Sequence, residues 1–279
     1  MPISEANLAR YIAYLEAKLT YNSIKQYLNI VRLLHLEHGF PNPLKTSWYL
    51  QSLLSGCKRV LGNKQTPKLP MTLPLLEKIF QKLDLASPFH LVFWAACLLA
   101  FFSFLRKSNL FFGHCAGRSS YLKRGEVKFH PQGATLHISH TKTIQYQERE
   151  LVIPVPHIPG SYMCPSTALR LIYKLVTGPA NSPLLSYPTH AGPKALSYLS
   201  FTNTLKSLLQ ELGISPSLYS GHSFRRGGAT FAFACNLPSE LIKEQGGWRS
   251  DCYQRYLEPD LATKFTVAKA MAVRVQKSL

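Results

Sequence analysis

The chain has 279 residues, 46% of them hydrophobic, enough for one large or two modest globular domains with real cores. Its 32 Lys and Arg against 14 Asp and Glu give a formal charge of +18, although charged residues make up only 16% of the total. The excess is thus a deficit of acids, which points to a polyanionic partner, nucleic acid first, with a basic membrane-binding face as the weaker reading.

The six cysteines, at 57, 97, 115, 164, 235 and 252, have no paired spacing, and no secretory signal peptide is legible. They read as reduced thiols of an intracellular protein, mostly packed as small apolar groups. His114 and Cys115 lack companions at zinc-ligand spacing, and the acids are scattered, so no metal site is expected.

Residues 4–19 place Leu8, Ile12, Leu15 and Leu19 at helical spacing behind Ser4 as a cap. A second helix is expected over 21–38, with Gly39 just past its end, and a third over 45–61 after the turn at 41–43. Three short helices make a small bundle carrying Lys25, Arg32, Lys45, Lys58 and Arg59. Such charges are either a solvated face or a DNA-binding one, and the acid deficit favours DNA. The polar, proline-containing stretch 62–70 has a linker's composition and divides the chain near residue 65.

Beyond it, a helix over 73–85 precedes residues 89–105, which hold no Asp, Glu, Lys or Arg. That run is shorter than the roughly 20 residues needed to cross a bilayer, so it reads as a core helix delivering Arg106 at its end. From 121 to 156 the period changes to two, with a turn at Pro131-Gln132-Gly133, which predicts three antiparallel strands. Lys142 falls where the second strand turns into the third. Helices follow over 165–176 and 197–212, separated by a loop at 178–194 in which Leu184 and Leu185 form a short extended piece.

Residues 221–260 concentrate the chemistry. His222 and Arg225 lie three apart at the start of a helical run. A turn at 236–238, a second helical run, Gly246-Gly247, Trp248, Tyr253 and Tyr256 follow, then a last helix over 261–277 behind Asp260.

The ordered series His222, Arg225, Trp248, Tyr256 resembles the catalytic segment of the tyrosine recombinases, or phage integrase family. Its wording, GHSFR…GGWRSDCYQRY, is most similar to recombinases of DIRS-like, Ngaro-like and Crypton-like eukaryotic mobile elements. FFSFLRKSNL resembles that family's first catalytic arginine motif, although many bacterial members carry Glu where Asn109 stands here. The resemblance implies a mainly α fold with a small antiparallel β-sheet. An N-terminal helical core-binding (SAM-like) domain over 1–65 would precede an α+β catalytic domain over 66–279, the two closing on DNA as a clamp. The first domain is short for the family, so a further helix or a leader would precede it.

The family's chemistry needs no cofactor, neither ATP nor metal, because one phosphoester replaces another. The resemblance makes Arg106 and Arg225 the clamp on the non-bridging oxygens. Preorganised donors of this kind are worth roughly 100- to 1,000-fold each. His222 and the Trp248 indole would add donors, with His222 taking the phenolic proton. Lys142 would protonate the leaving 5′ oxygen. An ordinary tyrosine is only about one part in a thousand ionised at neutral pH, so Tyr256, the expected nucleophile, needs these neighbours. Tyr253 competes for the role and otherwise packs. Trp248 reads either as a phosphate donor or as a core anchor.

Lys107, Arg226 and Arg249 join Lys25, Arg32, Lys58 and Arg59 as expected DNA contacts outside the reacting centre. The expected partner is double-stranded DNA, bound by a dimer or tetramer assembled through the C-terminal helix, with no membrane involved and a nuclear location if the host is eukaryotic. Two other functions stay open: a domesticated DNA-binding protein that keeps the fold without cleaving, and a type IB topoisomerase.

Overall fold

A computed structural model describes residues 2–62, 68–112, 121–139, 144, 149–256, 265, 269, 272–274 and 276, with the backbone alone at 252, 255 and 256. Hydroxyl caps start the first helices: Ser4, Thr20 and Ser47 each accept the N–H three positions on. They open α1 (Glu5–Glu16), α2 (Tyr21–Glu37) and α4 (Trp48–Leu61), with a single turn, α3 (Pro43–Thr46), before the last. The helix expected over 45–61 is therefore two, because the extended backbone of Ser47 ends α3 while its side chain caps α4. Leu8, Ile12, Leu15, Ile24, Leu28, Leu50 and Cys57 form this unit's own core. The chain divides into Met1–Pro67 and Lys68–Leu279.

The second unit is built around α6 (Pro88–Phe102), in which every side chain from Val92 to Phe101 is buried. Such a helix must be covered on all sides, and α8 (Pro165–Leu175), α10 (Gly221–Ala234) and strand β4 (Ser186–Thr189) all pack on it. Before it comes α5 (Leu73–Phe80), which ends earlier than the expected residue 85. There the Asp84 carboxylate takes the Ala86 N–H and His90 Nδ1 takes that of Asp84, forming a turn instead of a continued helix. Among the described residues no helix is long and apolar enough to cross a membrane.

Strands β1 (Val127–His130), β2 (Gly133–Ile138) and β3 (Leu151–Pro156) form an antiparallel sheet in the order β1-β2-β3. Ala134, Leu136 and Ile138 face Val155, Ile153 and Leu151, and all six are buried, as a strict period of two demands. The stretch expected as loop at 178–194 instead holds a hairpin, β4 (Ser186–Thr189) with β5 (Gly192–Ala195). Helices α9 (Tyr198–Glu211), α10 and α11 (Ser239–Gln245) follow, and then a 3-10 turn, Asp251–Tyr256. Residues 265, 269, 272–274 and 276 are helical.

Cys164 is not packed as an apolar group. At the N-terminus of α8 its thiol accepts from the Ile158 and Thr167 amides and the Thr167 hydroxyl, and it lies 3.4 Å from both His157 Nδ1 and Ser166 Oγ. Burial pushes this thiol up, but the surrounding donors outweigh it and bring the pKa down to about 6.

Helix α10 reaches α6 only because its middle is small. A Cβ at Gly228 would sit 2.0 Å from the Phe101 carbonyl oxygen, whereas one at Gly56 in α4 would meet nothing within 4 Å. Overpacking of this kind costs about 3 kcal/mol or more, so Gly228→Ala should lower the urea midpoint of the second unit steeply. Gly56→Ala should instead raise the unfolding free energy of the first by about 0.5–1 kcal/mol, the helical gain of Ala over Gly, and its urea midpoint with it.

Candidate active site

Helix α6 ends at Phe102, four residues before Arg106, so that arginine is not the helix's last residue as its apolar run suggested. Between them Phe104 adopts φ 49°, a left-handed conformation that a bulky residue enters only at a cost of about 1–2 kcal/mol. The turn sends Phe104 into the core and places half-buried Arg106 at the head of the short helix α7 (Lys107–Leu110). Asn109, on that helix, is buried, and its N–H bonds to the Arg106 carbonyl at 2.9 Å.

Helix α10 begins with its amides satisfied. Tyr198 Oη accepts from Gly221 at 3.3 Å, Ser220 Oγ from His222 at 3.3 Å, and the Ser220 carbonyl from Ser223 at 2.9 Å. One turn separates exposed His222 from Arg225, which is only 2% exposed. Arg225 Nη1 donates to the Phe104 carbonyl, and Nη2 donates to that of Gly246 at 2.9 Å. Its guanidinium carbon stands 3.9 Å from the centre of the Trp248 ring. Trp248 is buried and packs on Phe104 and Tyr253, with ring centroids 6.2 and 5.9 Å away. The indole therefore covers the arginine, and the core-anchor reading of Trp248 has a definite geometry.

The two glycines before Trp248 make this possible. A Cβ on Gly246 would fall 1.8 Å from the indole, and Gly247 turns at φ 60°. Gly247 donates to the Glu244 carbonyl and Trp248 to that of Lys243, the paired bonds that close a helix with a left-handed residue. Gln245 Nε2 then donates to the Phe102 carbonyl at 3.0 Å, tying the end of α11 to the end of α6.

These elements bring Arg106, Lys107, His222 and Arg225 into one electrostatic neighbourhood. The His222 pKa lies below its ordinary 6.5, first through partial desolvation of the ring, although the residue as a whole is exposed, and then through the positive charges of Arg225, Lys107 and Arg106. Lys107 is exposed and holds its ammonium 4.7 Å from the centre of the Tyr198 ring. An imidazole kept neutral among three cations can accept a proton, and the cations invite an anion.

Lys142 lies outside the described residues, and of Tyr256 only the backbone is described, ending the 3-10 turn that carries buried Tyr253. Of the expected DNA contacts, Arg226 is half-buried and bonds to the Lys68 carbonyl at 3.2 Å, while Arg249 is exposed. In the first unit Lys25 and Arg32 sit on one face of α2, and Lys58 and Arg59 are exposed in the last turn of α4. Tyr198, Gln245 and Phe104 escaped sequence reasoning, since each acts through a partner far away in the chain. No group of three or more His, Cys, Asp or Glu that could hold a metal ion occurs among the described residues.

No family model matches the chain. An integrase/recombinase xerD homolog of Selenomonas ruminantium is 26% identical over 268 residues, spanning 92% of this chain and 74% of that protein. Among solved structures, the Tn1549 transposon integrase in complex with transposon right end DNA superposes with a TM-score of 0.62 at 13% identity, over 97% of this chain and 85% of that one. The fold is that of the tyrosine recombinases. XerH site-specific recombinase bound to its difH substrate also matches, with a TM-score of 0.60 at 15% identity, over 95% of this chain and 70% of that one. These matches support the tyrosine recombinase/integrase family.

With its pKa depressed by folding, His222 should titrate below 6.5 in an NMR pH series, and Lys107→Ala should raise its midpoint by removing a neighbouring positive charge. The unfolded chain takes up this proton at higher pH than the folded one. The contribution of His222 to stability is thus complete above about 6.5 and is lost as pH falls through the folded midpoint.

Proposed function

We propose that this chain is a site-specific DNA recombinase that cleaves and rejoins DNA through a 3′-phosphotyrosyl link at Tyr256. The observation that carries the reading is the tyrosine-recombinase fold, within which the charges of Arg225, Lys107 and Arg106 all act to depress the His222 pKa. An extra negative charge on a phosphodiester in its transition state is what such a site would stabilise. The 3-10 turn that ends at Tyr256 rests through Tyr253 on Trp248, which covers Arg225. Lys142 is assigned protonation of the 5′ oxygen, and the site residues require neither metal nor ATP. The first unit, with Lys25, Arg32, Lys58 and Arg59, is assigned duplex binding, joined by Lys107, Arg226 and Arg249. The wording of residues 221–256 favours a eukaryotic mobile element as the source, and with it a nuclear site of action.

Assembly on DNA through the C-terminal helix belongs to the same reading. Phe265 and Val273 are exposed on described helical residues. Separately, an apolar cavity of about 560 Å³ opens between α10–α11 and β2–β3, lined by Phe102, Val155, Phe231, Leu237 and Leu241. We assign that cavity to the helix of a second copy.

A non-cleaving DNA-binding protein is the second reading, and one observation favours it: Arg225 is buried with two of its N–H groups on backbone carbonyls.

A nicked suicide duplex separates the two. The recombinase should form a covalent protein–DNA adduct that Tyr256→Phe abolishes and Arg106→Ala slows by about 100- to 1,000-fold. Tight binding without adduct on any duplex would establish the second reading, and relaxation of supercoils on any sequence would indicate a topoisomerase. On DNA carrying two sites, Leu241→Glu should lower the assembled mass in light scattering while single-site binding persists.

A further inference from the structure

The geometry points to Tyr198 as the positioning residue that holds the two cationic segments of the site in register. The inference rests on the recombinase reading for its catalytic consequence, but its structural half stands alone. Tyr198 opens α9, behind the Ser197 cap, and is half-buried against the core of the second unit. Its phenolic oxygen takes the Gly221 N–H, the first amide of the helix that carries His222 and Arg225. Its ring lies under the Lys107 ammonium, one residue from Arg106. It also packs on Phe111, at the end of α7, with centroids 5.6 Å apart.

One side chain therefore touches both the segment of the first arginine and the start of the helix of the second, which are more than a hundred residues apart in sequence. Gly221 records how close this approach is, because a Cβ there would lie 2.9 Å from the Tyr198 ring. An ammonium over an aromatic face is held by the ring quadrupole, which restricts a side chain that would otherwise sample many rotamers. Lys107 is one of the charges that act on His222, so the Tyr198 ring fixes how strongly the site favours the neutral imidazole. Tyr198 touches no reacting atom; it works through Lys107 and through the first turn of α10.

Two variants split the roles. Tyr198→Leu removes the ring and should raise the His222 NMR midpoint by part of the change that Lys107→Ala gives, with the double variant rising no further than Lys107→Ala alone. Tyr198→Phe keeps the ring and should leave the midpoint where it is, while the Gly221 amide exchanges faster with solvent. In single-turnover reactions at saturating nicked duplex, Tyr198→Leu should slow adduct formation by about 10- to 100-fold, the scale of a misplaced catalytic group.

Should Tyr198→Leu fail to fold, the wild-type protein still decides, since Lys107 Hε protons over the ring must resonate upfield of an ordinary lysine. An unshifted Lys107, or additive midpoint changes in the double variant, would overturn the assignment. Midpoint coupling with no adduct even from wild type would support Tyr198 as the tie and overturn the recombinase reading instead.

Discussion

The second unit depends on one buried cation. Arg225 joins three separate pieces of chain: α10, which carries it, the left-handed turn at Phe104 and the Gly246-Gly247 corner at the end of α11. Taking a guanidinium out of water costs several kcal/mol. Each bond from a charged donor returns about 1.5–3 kcal/mol, and a desolvated ring contact adds about 2 or more, so the arrangement comes out near balance. Its effect is on specificity more than on stability. The Phe104 carbonyl that meets Arg225 belongs to the residue that turns with positive φ, and that turn leads directly to Arg106. The buried arginine is thereby tied to the turn that precedes the half-exposed one.

The charges around His222 follow from the acid deficit noted in the composition. Arg106, Lys107 and Arg225 all act on the imidazole in the direction that opposes its protonation. With 14 acids against 32 bases in the whole chain, carboxylates are scarce as neighbours for such groups. Like charges gathered this closely raise the energy of the free protein and lower it once an anion arrives. A phosphate has the charge and the multiple acceptors that Arg and Lys recognise. The attraction for an anion and the electrostatic cost thus share one origin.

Much of this was legible in the sequence, for reasons that are local. Ser4, Gly39 and the Gly246-Gly247 pair are signals spanning a few positions, and each marks a helix end in the structure. The alternation in 121–156 predicts the sheet because the inward face of β2 and β3 is buried. The hairpin at 186–195 was hidden by its own Pro, Gly and Ser content, which serves a tight exposed ribbon as well as a loop. Residues 45–61 carry one continuous apolar period, so the break at Ser47 left no trace in it. Tyr198, Gln245 and Phe104 were invisible for a different reason. Their partners lie 23, 143 and 121 residues away, and no local pattern encodes a contact at that range.

The two arginines that the sequence treated as equal partners are not equivalent in the folded chain. Arg225 has its two terminal nitrogens directed at backbone carbonyls and one face under an indole, so it acts at a distance, as a fixed charge. Arg106 stands half-exposed beside exposed Lys107, on a turn that follows directly from the Arg225 contact. On the proposed reading, a phosphate would meet Arg106 and Lys107 first and feel Arg225 through a medium of low dielectric, where a charge is worth more than in water. The Gly246–Trp248 corner that holds Arg225 also supports the 3-10 turn leading to Tyr256, which packs on it through Tyr253. On that reading, the buried cation and the turn that carries the nucleophile are therefore held by one corner, and the placement of each is coupled to the other through Trp248.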